Sequence, residues 1–277
     1  LVFCAVLGFG AKAGLYPLHG WLPAAHPVAP GPASAVLSAV IAKSGVLGIL
    51  RFIYFVVGPD FLRGTWVQIA WLALGMATIL MGSMMAWREK LFKRRLAYST
   101  VSQISYILCG LFLLTEAGVQ GALLHTVFHA VAKTGLFLTA GAVIFYTGKT
   151  RVDELRGVGR QLPLTMSAYT LVALSLIGIP PLAGFVSKWY LATASLDTGL
   201  AVVSWLYPVV LLISALLTAA YLLPITLDGF FPGRDAPVLE RTPESPLMTV
   251  PLLVLGAASL LLGLGGGWLA QALAGIA

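Results

Sequence analysis

Four lysines, Lys12, Lys43, Lys133 and Lys188, stand inside stretches that are otherwise long and apolar enough to cross a bilayer. Lys133 shares a stripe with His125 and His129, because residues at i, i+4 and i+8 fall on one helical face. At 1.5 Å rise per residue the stripe covers about 12 Å, a large part of a hydrocarbon core roughly 30 Å thick. The chemistry such groups perform is proton transfer. Histidine titrates nearest neutrality and has a nitrogen on each side of its ring. Removal from water disfavours the charged form of an amine, so a lysine in a dry bundle can take up and release a proton in turnover. For the histidines the bland alternative is a polar seam that only glues helices together. A metal site is the poorer reading, since two histidines beside an ammonium, with no carboxylate or thiolate in register, are an unfavourable ligand set.

Energetics decide where these lysines point. On insertion scales a lysine at a helix centre costs roughly 2.5–3.5 kcal/mol, so four facing lipid would cost on the order of 10–14 kcal/mol. All four are therefore expected to face a bundle interior or a hydrated cavity. Lys43 lies about ten residues from either end of its stretch, too far to snorkel to an interface, whereas Lys12 is close enough to Pro17 for snorkelling to compete. All ten acidic residues fall in loops or at the ends of apolar stretches. The lysines thus have no carboxylate partner in sight, and the expected partner lies upstream of Leu1 or on another subunit.

The elements that must position them are membrane helices. Apolar residues make up 59% of the chain and charged residues 10%, with 30 glycines and 16 prolines and a mean hydropathy of +0.94. That mixture suits membrane helices and not soluble ones. The net charge of +7 gathers in short loops rather than on one soluble face, so no nucleic-acid partner is expected. Cys4 and Cys109 fall in apolar stretches and read as packing residues, not as a disulfide or metal pair. Leu1 opens in mid-run with no methionine, basic leader or cleavage site, which reads as a chain truncated at its start.

At roughly 20 residues per crossing, the predicted fold is an all-α, polytopic membrane helix bundle of about eight transmembrane helices, two of them discontinuous. The segments run over 1–16, 33–57, 65–87, 96–114, 119–147, 164–196, 200–224 and 248 to about Ile276. The first breaks at Pro17 and the sixth at Pro180 and Pro181, each near a lysine, and broken helices beside ionisable groups mark transport sites. Five helices separate the two breaks, which predicts an inverted repeat. Residues 1–57 would be the last two helices of its first copy, 65–224 the second copy with its broken helix at 164–198, and 248–277 a C-terminal helix. Arg88, Lys90, Lys93, Arg94 and Arg95 follow the third segment, and Lys149, Arg151, Arg156 and Arg160 the fifth. The positive-inside rule places both loops in the cytoplasm, and parity adds the loops at 17–32 and 228–246.

Lys12 with Pro17-Leu18-His19-Gly20-Trp21-Leu22-Pro23-Ala24-Ala25-His26, then Lys43, Leu96-Ala97-Tyr98-Ser99-Thr100-Val101-Ser102-Gln103-Ile104, the His125/His129/Lys133 row and Gly178-Ile179-Pro180-Pro181-Leu182-Ala183-Gly184-Phe185-Val186-Ser187-Lys188 together resemble the antiporter-like subunits of respiratory complex I and Mrp-type cation/proton antiporters. The resemblance covers nearly the whole chain. It implies a fold of about fourteen helices, of which these would be the seventh onward. Lys12 would pair with a glutamate upstream of Leu1, Lys43 would link the half-channels, and the histidine row would form the central axis. Lys188 would be the terminal lysine, where some complex I members carry glutamate, and this points to the D-type Mrp subunit or to complex I subunits M and N. His19 and Lys93 would be points of proton uptake.

No nucleotide-binding glycine fingerprint and no cysteine cluster is present, so neither cofactors nor a catalytic or metal site is expected in this chain. The leading expectation is a proton-translocating subunit driven by a larger complex, such as an NADH:quinone oxidoreductase-type translocase. The alternative is a subunit of an Mrp-type Na+(K+)/H+ antiporter, and a third reading is a non-conducting scaffold. Its partners would be other membrane subunits, the lipid bilayer and protons, with Na+ or K+ in the alternative. The setting would be a bacterial or archaeal cytoplasmic membrane.

Overall fold

A computed structural model describes residues 1–233 and 239–274. Its principal helices are α1 (Val2–Ala13), α2 (Trp21–Val28), α3 (Gly31–Val57), α4 (Trp66–Arg88), α5 (Phe92–Phe112), α6 (Glu116–Thr147), α7 (Pro163–Ile177), α8 (Ala183–Leu196), α9 (Ala201–Phe230), α10 (Pro246–Leu264) and α11 (Gly266–Leu273). Five of these, α3, α4, α6, α9 and α10, are long and apolar enough to cross a bilayer by length and composition. The single β feature among the described residues is a bridge between Leu91 and Arg151.

The chain is an integral membrane helix bundle. Its core lies around α5, which is buried along almost its entire length, and α6 packs beside it. Small residues set the spacing. A Cβ on Gly82 of α4 would stand 2.9 Å from the Ser102 amide nitrogen of α5, and one on Gly45 of α3 would meet the backbone of α1. The outside is apolar, with Leu212 and Leu216 of α9 and Val254 and Leu261 of α10 exposed, and Trp66, Trp87 and Trp205 exposed near helix ends, where the headgroup level holds indole rings.

Both predicted breaks are present. Gly14 ends α1 in the left-handed region (φ 88), and Gly178 ends α7 in the same way (φ 97). Trp21 then reaches back to donate to the Ala11 carbonyl (2.8 Å), which also accepts from Gly14 N (3.2 Å). Two predicted ends shift. The helix expected to stop at Pro224 continues to Phe230, because a proline inside a membrane helix costs only one donor, and Ala220, whose carbonyl loses its partner, lines a cavity with Lys90, Arg95 and Asp228. The last segment divides at Gly265. Gly263 seats against the Pro181–Ala183 backbone, and Gln120 holds α11 through the Ala270 carbonyl (2.6 Å). The predicted end near Ile276 lies outside the described residues. Cys109 is buried as expected, but Cys4 is exposed, because it falls on the uncovered face of α1.

The loops expected in the cytoplasm meet on one face. Phe92 N donates to Thr150 O (2.9 Å), Val152 N to Lys90 O (2.9 Å), Gly157 N to Asp228 O (3.0 Å) and Thr242 N to Gln161 O (3.0 Å). Lys93 Nζ donates to Ala29 O. Single cysteines at Arg94→Cys and Arg160→Cys are accordingly expected to label from the cytoplasmic side of inverted vesicles, and Glu116→Cys and Asp197→Cys only in right-side-out ones. Labelling of Arg94→Cys and Glu116→Cys from a common side would overturn this topology.

Candidate functional site

Three of the lysines are held by main-chain carbonyls, and at Lys43 and Lys188 those carbonyls lie at a local departure from the α-helix. In α3 the backbone widens into a π-helical turn over Leu37–Ile41, where Ala42 N reaches five residues back to Leu37 O (3.0 Å). Lys43, buried at 4% exposure, bends over this turn and donates to Ala39 O (2.7 Å) and Ser38 O (3.4 Å). Such single π-turns recur at functional sites. At the second break Lys188 of α8 donates to Leu176 O (2.7 Å) and Ile177 O (2.8 Å). These carbonyls end α7, so the partial negative charge of a half-helix terminus supplies the counter-charge that no carboxylate gives. Lys133 donates to Leu96 O of α5 (2.9 Å) and has no solvent exposure.

The histidine row is held partly by hydrogen bonds and partly by ring stacking. His125 and His129 are both buried at 1% exposure, and their rings stack with centroids 6.0 Å apart. His125 Nδ1 lies 2.9 Å from Ser187 Oγ and Nε2 lies 3.1 Å from Gln103 Oε1. Ser187 adjoins Lys188, whose ammonium also stands 5.4 Å from the centre of the Tyr106 ring. Neither nitrogen of His129 has a protein partner, a costly arrangement in a buried site and one that calls for a functional reason. Lys133, His129, His125 and Lys188 thus follow one another from α6 to the break between α7 and α8.

Lys12 departs from the expectation that all four lysines point inward. It lies on an exposed face of α1, its ammonium 5.3 Å from the Trp21 ring. Lys188 is half-buried. The physical reason for Lys12 is that the contacts of α1 with α3 at Gly45, with Trp66 of α4 at Phe3 and with Trp21 of α2 at Ala11 leave exposed the side that carries Lys12 and Cys4. Among the described residues the ion pairs are Arg63–Asp60 (2.9 Å), Arg94–Glu89 (3.3 Å) and Arg151–Asp153 (3.1 Å), all toward solvent. None reaches a lysine of the row.

Of the residues expected at proton uptake, His19 is partly buried and stacks on Tyr16 (5.7 Å), with burial holding its pKa below the usual histidine value. Lys93 reaches the Ala29 carbonyl. Sequence reasoning missed His26 between them. Its ring is fully buried, lies 4.4 Å from that of Phe137 in a stacked arrangement, and has no partner on either nitrogen. Burial, reinforced by the Lys133 and Lys93 ammonium groups, pushes its pKa down to about 3. A histidine at the end of a Trp-x-x-x-x-His run on a short amphipathic helix was the available signal.

An ammonium donates three hydrogen bonds and a neutral amine two. The two carbonyls at Lys43 and at Lys188 accept from either form, the ammonium keeping one hydrogen more than they take, whereas a carboxylate would lock the charged one in place. The site can therefore change protonation without breaking its contacts.

Three comparisons bear on what this arrangement serves. A family described as NADH:quinone oxidoreductase/Mrp antiporter, transmembrane, matches residues 1–218. NADH-quinone oxidoreductase subunit N from Desulforudis audaxviator is 40% identical over 95% of this chain and 54% of its own length. The structures of the Mrp complex from Dietzia sp. DQ12-45-1b and of the archaeal membrane-bound sulfane sulfur reductase superpose with TM-scores of 0.85 and 0.86, at 28% and 26% identity. They cover 97% and 98% of this chain and 57% and 54% of theirs. The chain thus spans about half the length of these relatives.

Proposed function

This chain belongs to the NADH:quinone oxidoreductase/Mrp antiporter transmembrane family, and on that premise we propose that it carries protons along its buried lysine and histidine row within a larger membrane complex. The observation that carries the proposal is the row itself, Lys133, His129, His125 and Lys188, joined by ring stacking and by Ser187, with carbonyl and hydroxyl partners in place of carboxylates. Lys43 links it from the π-turn. Lys12, on the uncovered face of α1, serves as the switch toward the acidic partner, and His19, His26 and Lys93 serve uptake from the cytoplasm. The breaks at Pro17, Pro180 and Pro181 provide the carbonyl ends, and the two broken helices belong to opposite copies of an inverted repeat. The partners are further membrane subunits in a bacterial or archaeal cytoplasmic membrane, and the energy comes from their reaction.

The likeness to the Mrp complex keeps Na+(K+)/H+ antiport as the second reading. Such cations need several hard oxygen ligands. The carbonyls that meet this row, those of Ser38, Ala39, Leu96, Leu176 and Ile177, are each taken by a lysine, which favours the proton alone.

The test is His129→Gln beside His129→Ala in the full-length protein. Loss of His129 leaves about 12 Å between its neighbours in the row. His129→Gln keeps a polar side chain without a titrating one, and proton flux is expected to fall on the order of tenfold, below the full effect of a positioned acid–base group because water covers part of the gap. Assembly on native gels should be unchanged. Wild-type flux in His129→Gln with loss of assembly in His129→Ala would reduce the row to helix glue.

A further inference from the structure

The charged cavity beside the end of α9 plays no part in the histidine row. It holds about 360 Å³ between the last turn of α4, the first turn of α5, the loop after α6 and the end of α9. Lys90 and Arg95 bring two cations to its wall, and Asp153 and Asp228 two carboxylates. Their commitments differ. Arg151 donates to both oxygens of Asp153 (3.1 Å each), and Arg95 uses Nε on Glu89 O (2.9 Å) and Nη1 on Tyr221 O (3.0 Å). Among the described residues the Lys90 ammonium and the Asp228 carboxylate take part in no ion pair.

One wall of this cavity continues the outer surface of the bundle. Leu212, Leu216 and Ala220 recur at every fourth position of α9 and so share a face. All three are exposed, and Ala220 and Pro224, the next step along, line the cavity. From Leu212 to Ala220 the stripe rises about 12 Å, against the roughly 15 Å of one hydrocarbon leaflet. Beside it runs α4, joined to α9 where Ser83 Oγ and Ser214 Oγ lie 2.6 Å apart, with Met84 and Trp87 exposed. Trp87 also lines the cavity, and indole rings settle at headgroup level. An apolar track thus leads from the hydrocarbon to a chamber of mixed charge.

We propose that this cavity binds the headgroup of a membrane phospholipid of the ethanolamine class, with an acyl chain lying along the α9 stripe. Arg95 and Lys90 take the phosphate, which suits both a guanidinium and a point ammonium. Asp228 accepts from the lipid ammonium, whose three N–H donors need oxygen partners. The carboxylates oppose a headgroup that is only negative. A choline group has no N–H to give and is held by a cage of aromatic faces, of which Trp87 supplies one. The assignment is independent of what the histidine row carries.

The test places the assembled complex in nanodiscs with phosphatidylethanolamine that carries a photoactivatable acyl chain, or with phosphatidylglycerol that carries the same chain, and locates the label by mass spectrometry. Label from the ethanolamine lipid is expected on the Leu212–Ala220 stripe, on the order of tenfold above that from the glycerol lipid, the scale of one charge-assisted hydrogen bond. Asp228→Asn is expected to lower the ethanolamine label roughly tenfold and to raise the glycerol label, a change of preference that a structural role would not produce. Ala220→Trp, at an exposed position, should block the passage from stripe to cavity and abolish the label. Equal labelling by the two lipids in the wild type overturns the headgroup assignment, as does an unchanged lipid ratio in Asp228→Asn. A stripe without label overturns the site and makes that face a contact with a neighbouring subunit. Displacement by water-soluble phosphoethanolamine as effective as that by unlabelled lipid would make the occupant a free phosphate ester and overturn the lipid source. If Asp228→Asn fails to assemble, the wild-type ratio and Ala220→Trp decide.

Discussion

Lys12→Ala in the full-length protein is expected to reduce proton translocation roughly 100-fold or more, the scale on which a positioned acid–base group acts, while the complex assembles normally. The other lysines of the site are bonded to carbonyls of their own bundle, but Lys12 lies on an exposed face, stacked over Trp21 beside a helix break and without an ion pair among the described residues. On the proposed reading an acidic group from outside the described elements serves as its partner, and Lys12 answers to its approach. Lys12→Arg should be nearly as damaging, since arginine stays charged under any biological condition and cannot exchange the proton. Flux in vesicles, read beside native gels, decides the matter. Full activity of Lys12→Arg would show that the site needs a fixed charge only.

Gly184→Ala is expected to prevent accumulation of the assembled protein. The first turn of α8 lies so close to the end of α7 that a Cβ at Gly184 would overlap the Ser175 carbonyl oxygen, and the amide of the same glycine donates to Ser175 Oγ (3.4 Å). A carbonyl fixed in a helix cannot turn aside as a side chain does. Relief requires the half-helices to separate, at a cost of about 3 kcal/mol or more, and separation draws Lys188 off Leu176 and Ile177. Native-gel yield and the Tm of purified complex measure it. An unchanged Tm in Gly184→Ala would mean that the junction is looser than its geometry.

The parts of this architecture that were legible in the chain are those with a period or a breaker. Residues 125, 129 and 133 share a face because the α-helix returns every 3.6 residues, and the Pro180-Pro181 pair announced the break beside Lys188. The burial of Lys43 followed from distance to the ends of its stretch. What could not be read depends on neighbours. Periodicity says that Lys12 and Cys4 lie on particular faces of α1, not whether anything covers them. The π-turn under Lys43 shifts one hydrogen bond and leaves no compositional mark. Pro224 looked like a stop, yet α9 passes through it, since a proline inside a membrane helix costs only one donor. His26 sat in a stretch that reads as a re-entrant loop, and its burial comes from stacking on Phe137, more than a hundred positions away.

The ligands of Lys188 belong to the main chain, and this governs what heredity can do to the site. Exchange of Leu176 or Ile177 for another apolar residue alters side chains that never touch the ammonium and leaves both carbonyls where they were. A point-mutation scan of that segment would therefore pass silently over the lysine's own binding partners. The cradle is encoded by the interruption at Gly178, Pro180 and Pro181 and can be erased only by mending it, so selection acts here on where the helix stops and hardly at all on which residues it stops with.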